Sequence, residues 1–522
     1  MKAKRSGGGE IISFRRFVVV AWLYILLLYA TVFVTVAVAF SETRAKAKRP
    51  RKNTRTRTRK NTRRQNSKPA PSLQGTLQNC FTPTSILKDV AVLLTPAEDS
   101  LLSSVTLVRL SKQLISLDNK RNNNNNNNNN NSLDSGNSDA STVEDFIINK
   151  TDQRLWDDGL TNAVKCLSSS KWAGSSQNLL EAAVEGIKAA SVISRLLPKC
   201  EDPSVVVNGS FINDNLWWTP LLEKIVEEDQ QLVSVIQPHQ LSGLKWSIDC
   251  FRLSTNDAAV DADADADFSH KSLPKHLQKA YDNLDLPFMV RPGFLTKISS
   301  RDRNKHSSTT DGQDDYDCDE HDNNDFTVAS FVNQVDFNSE KIQTTSKRAV
   351  AERRETAWQG DEHVAPFEYS GKSMQRMPWS PIVANARDRL CEETSHYYDG
   401  CLLNLYPDGG SGMRYHIDPD QGVQWDFETV VVSIGATRRF AFRSIVNDAT
   451  SNGADGQSTT SGEQGAKDGS KPHMFVLMDG DVTEMVRDCQ ARFQHTVKTA
   501  EFKGETAPRV SLVFKKTLAN RK

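Results

Sequence analysis

The amino-acid sequence predicts a chain of mixed architecture, in which a helical region precedes a C-terminal all-β domain. Upstream, apolar residues recur at the spacing of amphipathic helices. Downstream, short segments alternate apolar and polar residues or run continuously apolar, and Gly-rich turns separate them, as in a sheet. Low-complexity segments mark the boundaries and are predicted to be linkers: Asn122–Asn131, Asp261–Asp267 and Ser299–Asp325.

The length of the chain allows about three domains of roughly 150 residues each. A hydrophobic content of 38% is sufficient for packed cores in part of the chain. We predict five segments: residues 1–40 as a signal peptide or membrane anchor, 41–71 as a basic transit-like segment, 72–253 as a helical region with an Asn-rich linker, 254–325 as an acidic linker with a short helical or docking piece, and 326–522 as the β domain.

The longest apolar run is Phe17–Phe40, which has 24 residues without a charge and could span a bilayer. It ends in Ala37-Val38-Ala39, a small-x-small cleavage pattern, and Lys, Arg and Thr dominate the residues that follow. This order resembles the bipartite presequence of a complex plastid, so we expect plastid targeting. The alternative is an uncleaved anchor, which would give the protein its membrane contact and keep the β domain cytosolic.

The charge is unevenly distributed. Residues 1–71 contain 18 Lys and Arg against two acids, a balance of +16, so in a chain of net charge zero the remainder carries −16. Any affinity for nucleic acid would therefore come from local patches rather than from a diffuse basic surface. Candidates for such a patch are Arg387, Arg389, Arg438, Arg439 and Arg443, and the alternative for each is a solvated face or an acidic partner.

Residues 85–118, 143–198 and 215–253 carry the helical periodicity, and Pro198 should end one of the helices. Short amphipathic helices in series suggest hairpins stacked as an α-solenoid. The segment Pro238–Cys250 is similar to the helical hairpin repeats of organellar RNA-binding proteins, so the helical region is a possible RNA contact. A plain helical bundle is the alternative.

In the β domain, Ser380-Pro381 should open a helix, since Ser is a good N-cap and Pro is favoured in the first turn. Strand-like segments follow at residues 429–435, 438–443 and 474–480. Between the last two, Asn447–Lys471 is polar and Gly-rich, and we predict a disordered loop there.

The strongest chemical signal is His416-Ile417-Asp418, followed 79 positions later by His495. In a strand, residues i and i+2 point to the same face, so His416 and Asp418 could bind one metal ion. Two imidazoles and a carboxylate are the facial triad of non-haem Fe(II) oxygenases. Arg509 follows in a strand-like segment, and a buried Arg can bind the distal carboxylate of a dicarboxylic co-substrate in bidentate fashion.

Seven motifs, in one order across about residues 350–517, resemble those of the AlkB-like 2-oxoglutarate (2OG) and Fe(II)-dependent dioxygenases that repair alkylated DNA and RNA. They are Arg354–Gly360, Phe367–Gly371, Leu402–Tyr406, Tyr415–Asp418, Ser433–Phe440, Phe493–His495 and Arg509–Phe514. The resemblance implies a double-stranded β-helix, or jelly roll, around the metal. It also implies Fe(II) as cofactor, with 2OG and O2 as co-substrates.

By this resemblance His416, Asp418 and His495 would bind the iron and form the catalytic centre. Asn404, Tyr406 and Arg509 would bind 2OG. The second Arg of the family motif is replaced here by Lys515, which keeps the charge but loses the planar fork for co-substrate contacts. The implied substrate-binding residues are Arg354 in a lid over the pocket and Trp358 and Tyr369 beside the flipped base, although both rings could equally be core aromatics.

The implied reaction is oxidative demethylation of an alkylated base in DNA or RNA by a monomer. Hydroxylation of the N-methyl carbon gives a hemiaminal, which releases formaldehyde, and 2OG becomes succinate and CO2. Because a base within a duplex cannot reach a buried site, the nucleotide must be single-stranded or flipped out. The alternatives are an oxygenase of the same fold acting on protein or lipid, and a non-catalytic RNA-binding or scaffold protein, which Lys515 motivates.

The chain has eight Cys at scattered positions and no C-x-x-C pair, and this usage fits a reducing compartment.

Overall fold

The computed structural model describes residues 73–79, 82–95, 99–130, 150–197, 217–254, 272–295, 326–339, 341–343, 348–445 and 470–518. In these ranges no helix is both long enough and apolar enough to cross a membrane. The predicted targeting or anchor segment, both acidic linkers and nearly all of the loop 447–471 lie outside the described residues. The predictions made for them stay predictions.

Twelve α-helices lie in the described ranges. They are α1 (Leu73–Asn79), α2 (Pro83–Asp89), α3 (Ser100–Asn130), α4 (Lys150–Ser168), α5 (Gln177–Leu196), α6 (Thr219–Glu227), α7 (Asp229–Leu232), α8 (Pro238–Ser254), α9 (Lys275–Asp282), α10 (Val328–Gln334), α11 (Pro381–Thr394) and α12 (Cys489–Arg492). The helix predicted at Ser380-Pro381 is confirmed: Pro381 is its first residue and Ser380 its N-cap.

The strands of the described chain are short and antiparallel. They are β1 (Phe288–Arg291), β2 (Lys341–Gln343), β3 (Ala349–Ala351), β4 (Glu355–Gly360), β5 (Phe367–Tyr369), β6 (Lys372–Met374), β7 (Gly400–Tyr406), β8 (Met413–His416), β9 (Trp425–Gly435), β10 (Arg438–Ser444), β11 (His473–Leu477), β12 (Val482–Met485), β13 (Phe493–Val497) and β14 (Arg509–Thr517). The strands predicted within 429–435, 438–443 and 474–480 correspond to β9, β10 and β11.

Two antiparallel sheets form the body of the β domain. The larger has the order β1-β12-β9-β14-β7-β4 and the smaller the order β11-β10-β13-β8. Phe288 of the larger sheet stacks on Phe442 of the smaller, with ring centroids 3.9 Å apart. This arrangement fits the expected jelly roll, and β10 and β11 pair directly on either side of the loop 447–471.

The larger sheet is buried on both faces, which explains why β7 is buried along its whole length. Its outer face packs against α10 and α11, so that Leu403, Leu512 and Phe514 share a core with Leu390. Its inner face carries the polar residues of the site, alternating with the outer residues along each strand. The helices on the outside therefore support the strands that position the site.

The predicted acidic linker 254–325 needs a correction. The residues described within it form α9 and β1, and β1 pairs with β12 at the edge of the larger sheet. Phe288 and Val290 alternate with Met289 and Arg291 in burial, as a half-buried strand requires. The β domain thus includes a strand that precedes residue 326, and the docking piece that we predicted in this segment is part of the sheet.

The helical region does not form the predicted solenoid. In a solenoid each repeat contacts its sequence neighbours, whereas here α5 lies at the centre and packs against both α3 and α8. Helix α8 in turn contacts the edge strands β11 and β1. The helices therefore form a layer on the β domain and share one core with its interior, which is closer to the alternative of a plain helical bundle.

The predicted Asn-rich linker also differs from the structure, because α3 continues through the Asn run to Asn130. Asn is a poor helix former, but extending an existing helix is far easier than nucleating one. The preceding turns are anchored on the β domain: Asn119 donates to Glu505 at 2.9 Å and accepts from the backbone N–H of Thr437 at 2.8 Å. Packing over Ser100–Asn119 thus overrides local composition.

A buried ion pair fixes the helical layer to the β domain. Arg195 of α5 forms two hydrogen bonds with the carboxylate of Asp481, at 2.6 and 3.0 Å. Asp481 is fully buried and also accepts from the backbone N–H groups of Gly293 and Met478. One carboxylate therefore joins the helical layer, the segment after β1 and the turn between β11 and β12.

Candidate metal and co-substrate site

Three ligating side chains converge where β8 and β13 pair. His416, the last residue of β8, lies directly opposite His495 of β13, and their ring centroids are 4.1 Å apart. Oδ1 of Asp418 lies 3.6 Å from Nε2 of His416 and 3.5 Å from Nε2 of His495. We predicted His416 and Asp418 on one strand, but β8 ends at His416. The backbone after it still brings Asp418 to the same point.

The orientation of His416 is fixed by its backbone. Its Nδ1 donates a hydrogen bond to the carbonyl oxygen of Arg414 at 2.9 Å. A carbonyl can only accept, so the proton resides on Nδ1 and leaves the Nε2 lone pair free. An outer hydrogen bond of this kind is what commonly orients a metal-binding imidazole.

The protonation states at neutral pH suit metal binding. Burial lowers the pKa of His416, and burial together with the neighbouring His416 lowers the pKa of His495 to about 3. Burial would raise the pKa of Asp418, but Lys515 and the two imidazoles outweigh it and hold that pKa well below its usual value. The site therefore presents two neutral imidazoles and one carboxylate, the forms that bind metal.

These three residues fit a ferrous ion. Their ligand atoms all lie within 4.8 Å of one another. Among the described residues, these three form the group of His, Cys and acidic side chains that is close enough together to hold one metal ion. Two imidazole nitrogens and one carboxylate occupy one side of an ion and leave other positions open. Two further histidines of the β domain have partners outside this group: His473 contacts Ser242, and His396 pairs with Glu428.

A buried cationic pocket lies on the inner face of the larger sheet. Arg509 is 1% exposed, and its guanidinium donates to Ser433 Oγ at 2.5 Å and to the carbonyl of Ala436 at 3.1 Å. No carboxylate forms an ion pair with it among the described residues, and burial lowers its pKa to about 10. Burying a guanidinium without a counter-ion costs free energy, so an anion bound in this pocket would stabilise the protein.

Polar atoms near Arg509 are also left without partners. The register of β7, β14 and β9 places Asn404, Ser511 and Ser433 side by side. Oδ1 of Asn404, Oγ of Ser511 and Nε of Arg509 are buried and have no hydrogen-bond partner in the described chain. Tyr406, directly opposite Arg509, is likewise buried. Unpaired donors and acceptors around a buried cation fit a dicarboxylate such as 2OG.

Lys515 has a different partner from the one we expected. Its ammonium donates to Oδ2 of Asp418 at 2.8 Å and lies 3.4 Å from Oγ1 of Thr429, at 1% exposure. It is six positions along β14 from Arg509, which corresponds to about 20 Å of strand. Lys515 thus supports a metal-binding carboxylate rather than the Arg509 pocket. Although Lys515 lacks the planar fork of an Arg, its ammonium still pairs with Asp418.

Arg354 and Tyr369 meet around a carboxylate that we did not predict. The hydroxyl of Tyr369 donates to both oxygens of Glu352 at 2.9 Å, and Nε of Arg354 donates to the same carboxylate at 2.8 Å. The buried ammonium of Lys372 lies 3.5 Å away from it. Arg354 also contacts Met413 of β8, close to His416. Arg354, which the resemblance places in a lid, is thus buried within a polar cluster that reaches β8.

Trp358 lies deeper than the sequence prediction placed it. Its ring is 1% exposed, packs against Phe367 and Trp425, and donates from Nε1 to the carbonyl of Ala365 at 3.0 Å. Both faces of the indole are covered, so Trp358 is a core aromatic. This was the alternative given for it in the sequence analysis.

Glu352, Lys372 and Thr429 were missed in the sequence analysis. No spacing pattern connects these residues to His416, Asp418 and His495.

Comparisons with known proteins agree with this geometry. The family model described as the 2OG-Fe(II) oxygenase superfamily matches residues 319–515. An uncharacterised protein of Acanthamoeba polyphaga mimivirus, R406, is 30% identical over 173 residues, which are 33% of this chain and 77% of that protein. The mouse DNA oxidative demethylase ALKBH2 is 27% identical over 188 residues, which are 35% of this chain and 69% of that protein.

A third relative is the mouse alpha-ketoglutarate-dependent dioxygenase alkB homolog 3, 33% identical over 91 residues, which span 17% of this chain and 31% of that protein. The fold and the His-Asp-His group define an Fe(II)- and 2OG-dependent dioxygenase, an oxidoreductase that uses O2. Within that superfamily, the chain belongs to the AlkB-like dioxygenases. Lys515, which motivated the alternative of a non-catalytic scaffold, pairs with Asp418 of this group.

Proposed function

We propose that this protein removes alkyl groups oxidatively from bases of single-stranded or locally opened nucleic acid. The observation that supports this most directly is the convergence of His416, Asp418 and His495 at an edge strand, in a domain that also buries the unpaired cation of Arg509. The name of the relative ALKBH2 as a DNA oxidative demethylase supports the substrate class. The metal-binding and co-substrate roles of the named residues are part of the proposal.

The exposure of the site suits a nucleobase that is flipped out of its nucleic-acid strand. Strand β8 is the edge of the smaller sheet, and the His416 side chain is 23% exposed there, against 6% for His495. A base within a duplex could not approach so closely, and a flipped base could. Arg354 contacts Met413 of this strand and shares Glu352 with Tyr369, and both side chains would contact the base.

The protein's own residues bind, orient and exclude water. Fe(II) held by His416, Asp418 and His495, with 2OG and O2, supplies the oxidising chemistry. In the net reaction an N–CH3 group gains one oxygen atom and becomes N–CH2OH, while 2OG takes the other and becomes succinate and CO2. The hemiaminal then loses formaldehyde and leaves N–H on the base. Lys515 would hold Asp418 ionised throughout.

The test is formaldehyde release from oligonucleotides. The purified protein is incubated with Fe(II), 2OG, ascorbate and single-stranded DNA or RNA that carries N-methylated bases, beside a panel of Pro- and Lys-containing peptides. We expect formaldehyde from at least one oligonucleotide. Hydroxylation of a Pro or Lys carbon releases no formaldehyde, so turnover of the peptides is measured by mass spectrometry as a gain of one oxygen atom, and we expect none. His416→Ala and Asp418→Ala should abolish formaldehyde release, whereas His396→Ala, which alters a histidine paired with Glu428, should not. Turnover of peptides alone would overturn the proposed substrate class.

A further inference from the structure

The β domain carries an uncompensated cationic pair on the reverse side of the metal-binding strands. Side chains alternate along a strand, so Tyr415 and Gln494, next to His416 and His495, face the opposite side of the smaller sheet. Arg443 of β10 lies opposite Gln494 and donates to it at 2.9 Å. These residues are half-buried and lie on three adjacent strands.

Two cations approach the ring of Tyr415. The guanidinium of Arg443 lies 4.2 Å from the ring centroid and the ammonium of Lys498 lies 4.5 Å from it. Both distances are within the range of cation–π contacts. In the described chain neither cation forms an ion pair with a carboxylate, and burial together with Arg443 lowers the pKa of Lys498. The ring and Gln494 position the two charges, and an anion between them would relieve their repulsion.

The other arginines of the predicted basic patch have partners. Arg387 pairs with Asp388 at 2.7 Å, and Arg439 pairs with Glu501 at 2.6 Å. Arg438 is buried and donates to the carbonyls of Thr437 and Ala507. Arg389 packs its guanidinium 5.0 Å from the ring of Phe326. Of the five arginines, Arg443 is therefore the one that combines partial exposure with an unmatched charge next to a second cation.

We propose that Tyr415, Arg443 and Lys498 form a phosphate clamp for the nucleic-acid strand that carries the target base; this rests on the proposed function. The chain beyond residue 71 carries a net charge of −16, so affinity for a polyanion depends on a local cationic site. Strand β8 is an edge strand, so a strand that crosses it can place phosphates on the clamp and a flipped base at His416. Such contacts position the substrate without selecting its sequence.

The first test is binding of an unmethylated single-stranded oligonucleotide to the full chain, measured by fluorescence anisotropy at several salt concentrations. The double variant Arg443→Gln/Lys498→Gln should bind about tenfold more weakly. The slope of log K against log salt should decrease by roughly 1.4, because each phosphate contact on a single strand contributes about 0.7. The matched control Arg439→Gln, on the same strand but paired with Glu501, should match the wild type.

The second test compares substrates. For the double variant, KM should rise more for a methylated oligonucleotide than for the corresponding methylated nucleoside, which has no phosphates to clamp. Equal changes for both substrates, or an unchanged salt slope, would overturn the clamp. So would a loss of binding to vesicles of phosphatidylcholine and phosphatidylserine without a loss of oligonucleotide binding. Because binding is measured without turnover, absence of formaldehyde would refute the proposed function separately.

Discussion

At the scale of single residues, the site depends on charges that are matched in pairs. Asp418 is buried among two imidazoles and keeps its negative charge because Lys515 donates to it at 2.8 Å. Arg509 keeps its positive charge without a carboxylate among the described residues. The charge of Asp418 is matched within the protein, whereas that of Arg509 is free to pair with an anionic ligand. This difference leads to two separate predictions.

Lys515→Met should weaken metal binding. Removal of the ammonium leaves the buried carboxylate of Asp418 without its cation, so its pKa rises and protons compete with the metal. Loss of an outer partner of a metal ligand commonly costs 10–100-fold in affinity, and we expect roughly that loss for Mn(II), measured by isothermal titration calorimetry at pH 7. Lys515→Arg keeps the charge and should recover most of the affinity. Unchanged binding in Lys515→Met would show that the ion pair does not support the metal.

Arg509→Gln should raise the KM for 2OG by roughly 10–100-fold, since a hydrogen bond to a charged group contributes about 1.5–3 kcal/mol. The KM for the oligonucleotide should change little. Arg438→Gln is the matched control, because that guanidinium is also buried but already bonded to backbone carbonyls. It should lower stability and leave the KM for 2OG unchanged. An equal rise in both variants would contradict the assignment of the pocket.

At the scale of secondary-structure elements, local patterns predicted the strands around the metal. The alternating or continuously apolar segments of β9, β10, β11 and β14 were sufficient for these strands. The spacing of His416 and Asp418 pointed to the metal site, although β8 ends at His416. Contacts between distant segments could not be predicted in this way. Lys515 meets Asp418 across 97 positions, and β1 joins the sheet beside β12, about 190 residues later. The Asn run was misjudged because tertiary packing extended α3 over residues of low helix propensity.

The docking of α5 on the β domain should depend on one ion pair. Arg195→Met leaves Asp481 buried with unpaired charge, and breaking such a pair costs about 3–5 kcal/mol. Asp481→Ala should cost more, because Asp481 also accepts from the N–H groups of Gly293 and Met478. Chemical denaturation measures both, and hydrogen exchange should increase in α5. Lys245→Gln, which removes a partly exposed pair within α8, should cost less than about 1 kcal/mol. Equal losses of stability in all three variants would show that the Arg195–Asp481 ion pair does not hold α5 on the β domain.

At the scale of the whole molecule, the helical layer and the β domain share one hydrophobic core, so they should unfold together. His473 lies at their junction. Its Nδ1 is 2.8 Å from Oγ of Ser242 in α8, and its ring packs against Phe288 and Phe493. Burial, with smaller contributions from His239 and Lys188, lowers the pKa of His473 to about 4. The junction is therefore built around a neutral histidine.

This arrangement predicts that the docked fold becomes less stable in mild acid. The folded-state pKa of His473 lies below that of the unfolded chain, so the unfolded state binds more protons between pH 6.5 and about 4. The contribution of neutral His473 to the free energy of unfolding is fully present above pH 6.5 and is lost as the pH falls toward 4. The loss amounts to at most about 3 kcal/mol. His473→Asn keeps a polar contact for Ser242 but cannot titrate, so its free energy of unfolding should fall less steeply in urea denaturation over this range. Parallel curves for the variant and the wild type would show that His473 is not the group that links the stability of this junction to pH.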